Sequence, residues 1–193
     1  MPILTEANQE VRDTVERMVE RYHPGLRDAG VTFRLMFARP KEDANGDPVG
    51  HAIAVAGYPA LAKVKITPYE QRVGSDDRPG LPDCTITIDQ DHWDMLTDRE
   101  REALVDHELE HLELVEKTQN GHQVVQRDDA DRPKMRIRRH DHQHGWFDAV
   151  VRRHAQAAPE WMQWEQFEEK RTQLWLPYME EVEDEEEEEL AHV

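Results

Sequence analysis

The sequence predicts an α+β fold, with a short mixed or antiparallel sheet packed on one central helix and an acidic tail behind it. Three observations carry the prediction. Stretches with strand periodicity, rich in β-branched and aromatic residues, stand at Val31 to Ala38 and Cys84 to Asp89. Stretches with helical periodicity run from Thr5 to Tyr22, from Asp98 into the middle of the chain, and from Trp146 to His154. Finally, nine of the ten residues from Glu180 to Glu189 are acidic, and like charges at that density cannot collapse into a core. The expected division is residues 1–177 as one domain and 178–193 as a disordered tail.

Each element has its own reason. Val11, Val15, Met18, Val19 and Tyr22 recur at intervals of three and four, so the first helix should hold from Thr5 until the His23-Pro24-Gly25 break. VTFRLMFA at 31–38 reads as a strand, closed by Pro40 and Asn45-Gly46. His51 to Val55 and Leu61 to Ile66 read as short strands around a turn, with Lys63 and Lys65 alternating with Val64 and Ile66 as on a half-buried strand. CTITID at 84–89 alternates likewise. Thr97 and Glu100 match a capping box, so the central helix begins near Asp98; Asn120-Gly121 should stop it after Lys117 or Thr118. His122 to Arg127 and Lys134 to Arg139 then read as a hairpin across Asp128 to Pro133. Phe147, Val150 and Val151 give the next helix its apolar stripe. Trp161, Trp164 and Phe167 mark a last helix from Glu160 to about Leu174, where the aromatics read as core packing.

Composition excludes several classes. The formal net charge is −18, about half of it in the tail, so the body is also acidic and lacks the Lys and Arg excess that a nucleic-acid backbone demands. One cysteine, Cys84, rules out an internal disulfide and a cysteine-rich structural metal site, and it fits a reducing compartment. The N-terminus shows no basic start followed by an apolar run, and no stretch of 18 apolar residues occurs, so the expectation is a cytoplasmic protein without a membrane span.

Chemistry concentrates in VDHELEHLEL, which holds His107-Glu108-x-x-His111. Residues four apart on a helix share a face, so both imidazoles can reach one ion, and Glu108 beside them can take a proton from a water that the ion has acidified. On a helical wheel His107, Glu108 and His111 fall within about 60° of Leu104, inside the apolar arc, while Glu102, Asp106, Glu110 and Glu113 share the opposite face. Titratable groups in a buried arc are costly unless something coordinates them. The expected cofactor is one zinc ion. Its third protein ligand is sought among His122, His140, His142, His144 and His154. A hairpin returns the end of Lys134 to Arg139 to the central helix, which favours His140, with Asp141 as a possible acceptor behind it; His144 is the runner-up, one helical turn on, and His142 and His154 read as surface residues.

CTITID with Trp93 and Leu96 after it, the helix REREALVDHELEHLEL, and MRIRRHD at 135–141 together resemble a family of phage metallopeptidases, SprT-like in appearance. The resemblance implies a small zincin-like fold, one zinc held by His107, His111 and His140, Glu108 as general base, peptide-bond hydrolysis, a phage gene and hence a host-cell cytoplasm. It also makes CTITID the candidate edge strand for an extended peptide. Position 117 is Lys and position 114 Leu, which departs from the metzincin spacing. SprT-like proteins act on DNA-attached proteins, for which this acidic chain has no evident module. The expected partner is a protein or peptide substrate. The competing reading is a catalytically silent metallofold whose acidic surface and tail occupy a basic partner's site, in the manner of a DNA mimic or inhibitor.

Overall fold

The computed structural model describes residues 2–55, 57–74, 79–141 and 146–169. The acidic tail expected at 178–193, the end of the last expected helix, and His142 and His144 all lie outside the described residues. In chain order the elements are β1 (Ile3–Glu6), α1 (Gln9–Tyr22), α2 (Pro24–Ala29), β2 (Phe33–Arg39), β3 (Lys41–Glu42), β4 (Pro48–Val49), β5 (Ala54–Val55), β6 (Tyr58–Pro59), β7 (Ala62–Ile66), α3 (Tyr69–Val73), β8 (Cys84–Asp89), α4 (Gln90–Met95), α5 (Asp98–Glu110), β9 (Leu112–Leu114), β10 (Glu116–Gln119), β11 (His122–Val125), β12 (Met135–Ile137) and α6 (Asp148–His154). Residues 161–169 are helical as well.

The fold is α+β. Its main sheet has the order β1-β2-β8-β7 and is mixed: β2 and β8 run parallel, while the two outer strands run antiparallel to their neighbours. Alternation sorts its side chains. Leu35 and Phe37 of β2 and Cys84, Ile86 and Ile88 of β8 turn to one face, where Val11, Val15 and Met18 of α1 and Leu104, Val105 and Leu109 of α5 cover them. The other face is closed in part by Ala52 and Ile53, which pack on Ala38. Full burial of an aliphatic side chain of this kind stabilises by about 1.5–3 kcal/mol, so this layer supplies much of the cohesion that fixes α5 on the sheet.

Several expectations need correction. Thr5 and Glu6 do not belong to the first helix: they end β1, which pairs with β2, and α1 starts at Gln9, where the Asn8 carboxamide accepts from the Val11 amide at 3.1 Å. The capping box of Thr97 and Glu100 does start α5 at Asp98, but the helix ends at Glu110, not near Thr118. Leu112–Leu114 instead pairs antiparallel with Met135–Ile137, and Leu112 is buried in the core; long-range pairing plus burial outweighs local helix propensity. Asn120-Gly121 is a turn, but of a hairpin. Both residues have positive φ, 52° and 81°, as a tight turn between β10 and β11 requires. His122–Val125 therefore pairs with Glu116–Gln119 rather than with Lys134 to Arg139. CTITID is interior, flanked on both sides, so it offers no edge; β7 is the edge strand on that side among the described residues. No helix of the described residues is long and apolar enough to cross a membrane.

Candidate metal centre

α5 carries His107 and Glu108 in its last turn and ends on His111. The short β9–β12 ladder then continues by one more hydrogen bond, from the Arg138 amide to the His111 carbonyl at 2.7 Å, and so draws the chain after β12 back over the helix end. His140 stands two residues beyond. The ring centroids of His107, His111 and His140 lie 4.7 to 5.1 Å apart, and one ligand atom of each lies within 4.8 Å of the others. Fully buried Phe147 packs against all three rings at 4.8 to 5.2 Å, as a common floor.

The far side of two rings is held. His111 Nδ1 donates to the Arg138 carbonyl at 2.8 Å, and His107 Nδ1 donates to the carboxylate of Glu160, which is itself buried. Each bond fixes Nδ1 as the protonated nitrogen and leaves Nε2 for an ion. The Nε2 atoms of His107 and His140 are 3.2 Å apart. Zinc–nitrogen bonds of about 2.0–2.1 Å at tetrahedral angles separate two ligand nitrogens by about 3.3 Å, so the His107–His140 pair is spaced for such an ion, with a ligand atom of His111 within 4.8 Å of both. Two buried carboxylate oxygens nearby, Glu108 Oε2 and Glu160 Oε2, have no hydrogen-bond partner among the described residues.

Electrostatics agree with this division. Burial pushes Glu108 up to about 7; the His107 charge and the Val64 amide pull it back, and Glu160 adds to the rise. Burial takes His111 down to about 4 against the opposing bond to Arg138, with the charges of His107 and His140 adding to the fall, and burial with the His107 charge also lowers His140. Burial works to lower His107 too, but the bond and charge of Glu160 outweigh it and hold this ring above the ordinary range. His107 is thus the one ring of the three held above the ordinary range, and an ion bound at its Nε2 would compete with a second proton there.

A second group, His23, Asp106 and Glu110, also has its donor atoms within 4.8 Å. It already contains a cation. The Arg153 guanidinium lies 3.0 and 3.1 Å from the Asp106 oxygens and 3.3 Å from Glu110, and His23 and His154 bond the same Asp106 carboxylate at 2.6 and 2.9 Å. Asp106 is fully buried and Glu110 partly so, not on the water face that the helical wheel assigned them; His154, expected on the surface, has only 7% of its side chain exposed. Asp141 is turned to Arg138 and to the Asp148 amide, with no hydrogen bond to His140.

The three rings and Glu108 open on a cleft of about 1020 Å³ walled by Val55, Tyr58, Ala62, Val64, Ile137 and Gln163. A family model described as "Putative phage metallopeptidase" matches residues 4–170. The chain belongs to this family. The description names a metallopeptidase, and with it a metal and a protein or peptide substrate. No curated protein and no solved structure matches the chain.

The match in this phage metallopeptidase extends past α6 and so takes in residues that the sequence did not single out as part of a site. Glu160 was only the expected start of a helix and Phe147 one member of an apolar stripe. Neither has a spacing relative to His107 that a motif could record, since 53 residues separate His107 from Glu160. The edge position of β7 depends on strand order, which the alternation of Lys63 to Ile66 does not encode.

Proposed function

We propose that this family member is a zinc-dependent peptidase, with His107, His111 and His140 as the protein ligands and Glu108 as the general base. The convergence of three imidazoles beside one buried carboxylate, on the floor of an open cleft, is the observation that carries the reading. A structural zinc site would be closed by a fourth protein ligand. Zinc bound there supplies Lewis acidity, which acidifies water and polarises a carbonyl. Glu108 takes a proton from the attacking water at its carboxylate and passes it to the leaving amine; burial, which raises its pKa, makes it a better proton acceptor than an exposed carboxylate.

The peptide is held by β7. The Asp89 amide donates to the Leu61 carbonyl and the Thr67 amide to the Asp83 carbonyl, both at 2.8 Å, so in this antiparallel ladder the backbone groups of residues 61, 63, 65 and 67 turn to β8. Those of Ala62 and Val64 turn outward. The Val64 amide already faces the Glu108 carboxylate, so an extended substrate pairs with the backbone of Ala62 and the Val64 carbonyl and lies between β7 and the chain after β12, its scissile bond over Glu108. The proposed peptidase unit is residues 1–177, which contains the family match over residues 4–170, with the acidic segment 178–193 appended and the host cytoplasm as the proposed site of action. A silent scaffold has less support, because it has no use for a buried carboxylate beside the ligands.

Glu108→Gln tests the reading. Zinc content and melting temperature should stay close to those of the original chain, while hydrolysis of an unfolded protein substrate falls by about 10²–10⁴-fold. Undiminished hydrolysis in the variant would remove Glu108 from the mechanism.

A further inference from the structure

Glu160 has no evident duty in the fold. It stands where the helix of residues 161–169 begins, and its backbone carbonyl accepts the first helical bonds, from the amides of Gln163 and Trp164 at 3.0 Å, but its carboxylate bonds no amide of that turn and so is not a cap. The residue is only 8% exposed. One carboxylate oxygen accepts from His107 Nδ1, and the other is buried without a partner among the described residues. Its neighbours in sequence, Ala158, Trp161 and Trp164, belong to the apolar cluster built on Trp146 and Phe147, and a buried charge costs more than a buried apolar side chain. A buried carboxylate that the apolar packing does not need makes physical sense when a dication sits on the other side of His107.

We infer that Glu160 is the positioning residue of the metal centre: it locks the His107 ring with Nε2 turned to the ion and supplies negative charge to a set of three neutral ligands. The inference rests on the zinc site proposed above. His111 is oriented by a backbone carbonyl, which no substitution removes, so among the described residues Glu160 is the side chain that orients a ligand. Its placement depends in turn on Ala158, Trp161 and Trp164 packing against α6. The last described segment of the chain is therefore a working part of the centre, contributing to it without touching the ion.

The test is zinc affinity of the full chain, measured by competition with a chromogenic chelator, alongside the melting temperature of metal-free protein. Glu160→Ala should weaken zinc binding by about 10–100-fold while the metal-free melting temperature holds or rises, because a costly buried charge is gone. Glu160→Gln keeps an acceptor for Nδ1 without the charge and should fall between the two, a graded rescue that a packing defect would not produce. Glu165→Ala, an exposed acid on the same helix, should bind zinc like the original chain. Unchanged affinity in both Glu160 variants overturns the inference and leaves the zinc site standing, as does an affinity loss matched by an equal loss of metal-free stability. Absence of zinc binding in the original chain overturns both.

Discussion

Replacing Asp106 by Ala should be among the most destabilising single changes on α5, although Asp106 is no ligand. The carboxylate is fully buried and receives four contacts from three side chains: His23 at 2.6 Å, His154 at 2.9 Å, and Arg153 at 3.0 and 3.1 Å. Burial alone would raise its pKa, but hydrogen bonds from His154 and His23 and the charges of His23 and Arg153 hold it far below the usual carboxylate range. Without it, Arg153 keeps Glu110 at 3.3 Å and the face of Tyr22 at 4.8 Å, so that loss is partial. The two imidazoles have no such substitute, and their side chains are only 9% and 7% exposed. Two buried N–H groups left unmade cost about 1–3 kcal/mol each, and with the reduced contact to Arg153 the total comes to about 3–5 kcal/mol, the range for removing one partner of a buried ionic group. At about 2–4 °C per kcal/mol for a domain of this size, the melting temperature should fall by roughly 6–20 °C. Asp106→Asn, which keeps the shape and one acceptor, should fall less. Circular dichroism melts in excess chelator measure this without interference from metal affinity. A drop of less than about 3 °C for the Ala variant would show that the three side chains find other partners, and that the network does not hold α1, α5 and α6 together.

Two further outcomes are expected. His140→Ala should lose bound zinc after gel filtration about as completely as His111→Ala, read by elemental analysis; one zinc per chain retained in the His140 variant would mean that another group completes the centre. Cys84 should resist iodoacetamide at pH 8 in the folded protein: it has no exposed surface, and burial, reinforced by the Asp83 charge and opposed by Arg72 and Arg132, pushes its thiol up to about 12. Its reactive thiolate is therefore scarce at every pH below that value, and native labelling as fast as labelling in urea would contradict this placement.

How much of this was legible in the sequence depends on the range of the interaction. The helix start at Asp98 was legible because a capping box is complete within four residues. Strand character was legible wherever alternation extended over five or more residues. The end of α5 was not, because the partner of Leu112–Leu114 lies 21 or more residues further on and no local signal competes with helix propensity there. The same reason hid the edge: alternation identifies a strand but does not say whether one neighbour or two will flank it.

The helical wheel failed at 106 and 110 for a more general reason. It assumes one buried arc and one wet one, which holds for a helix lying on a single surface. α5 is packed by α1, β7 and α6, so buried residues run round it as Ala103, Leu104, Val105, Asp106, Glu108 and Leu109. On such a helix an acid is no guide to exposure, because burial only requires that cations and donors arrive from elsewhere. They do arrive: His23 from the end of α1, and Arg153 and His154 from α6. The centre follows the same logic. The motif on α5 supplies two rings and a carboxylate, all visible as a spacing. The groups that aim those rings, the Arg138 carbonyl and Glu160, come from 27 and 53 residues downstream, and the fold alone brings them there. The motif therefore locates the chemistry, while the orientation that makes the rings usable as ligands is a property of the chain that follows it.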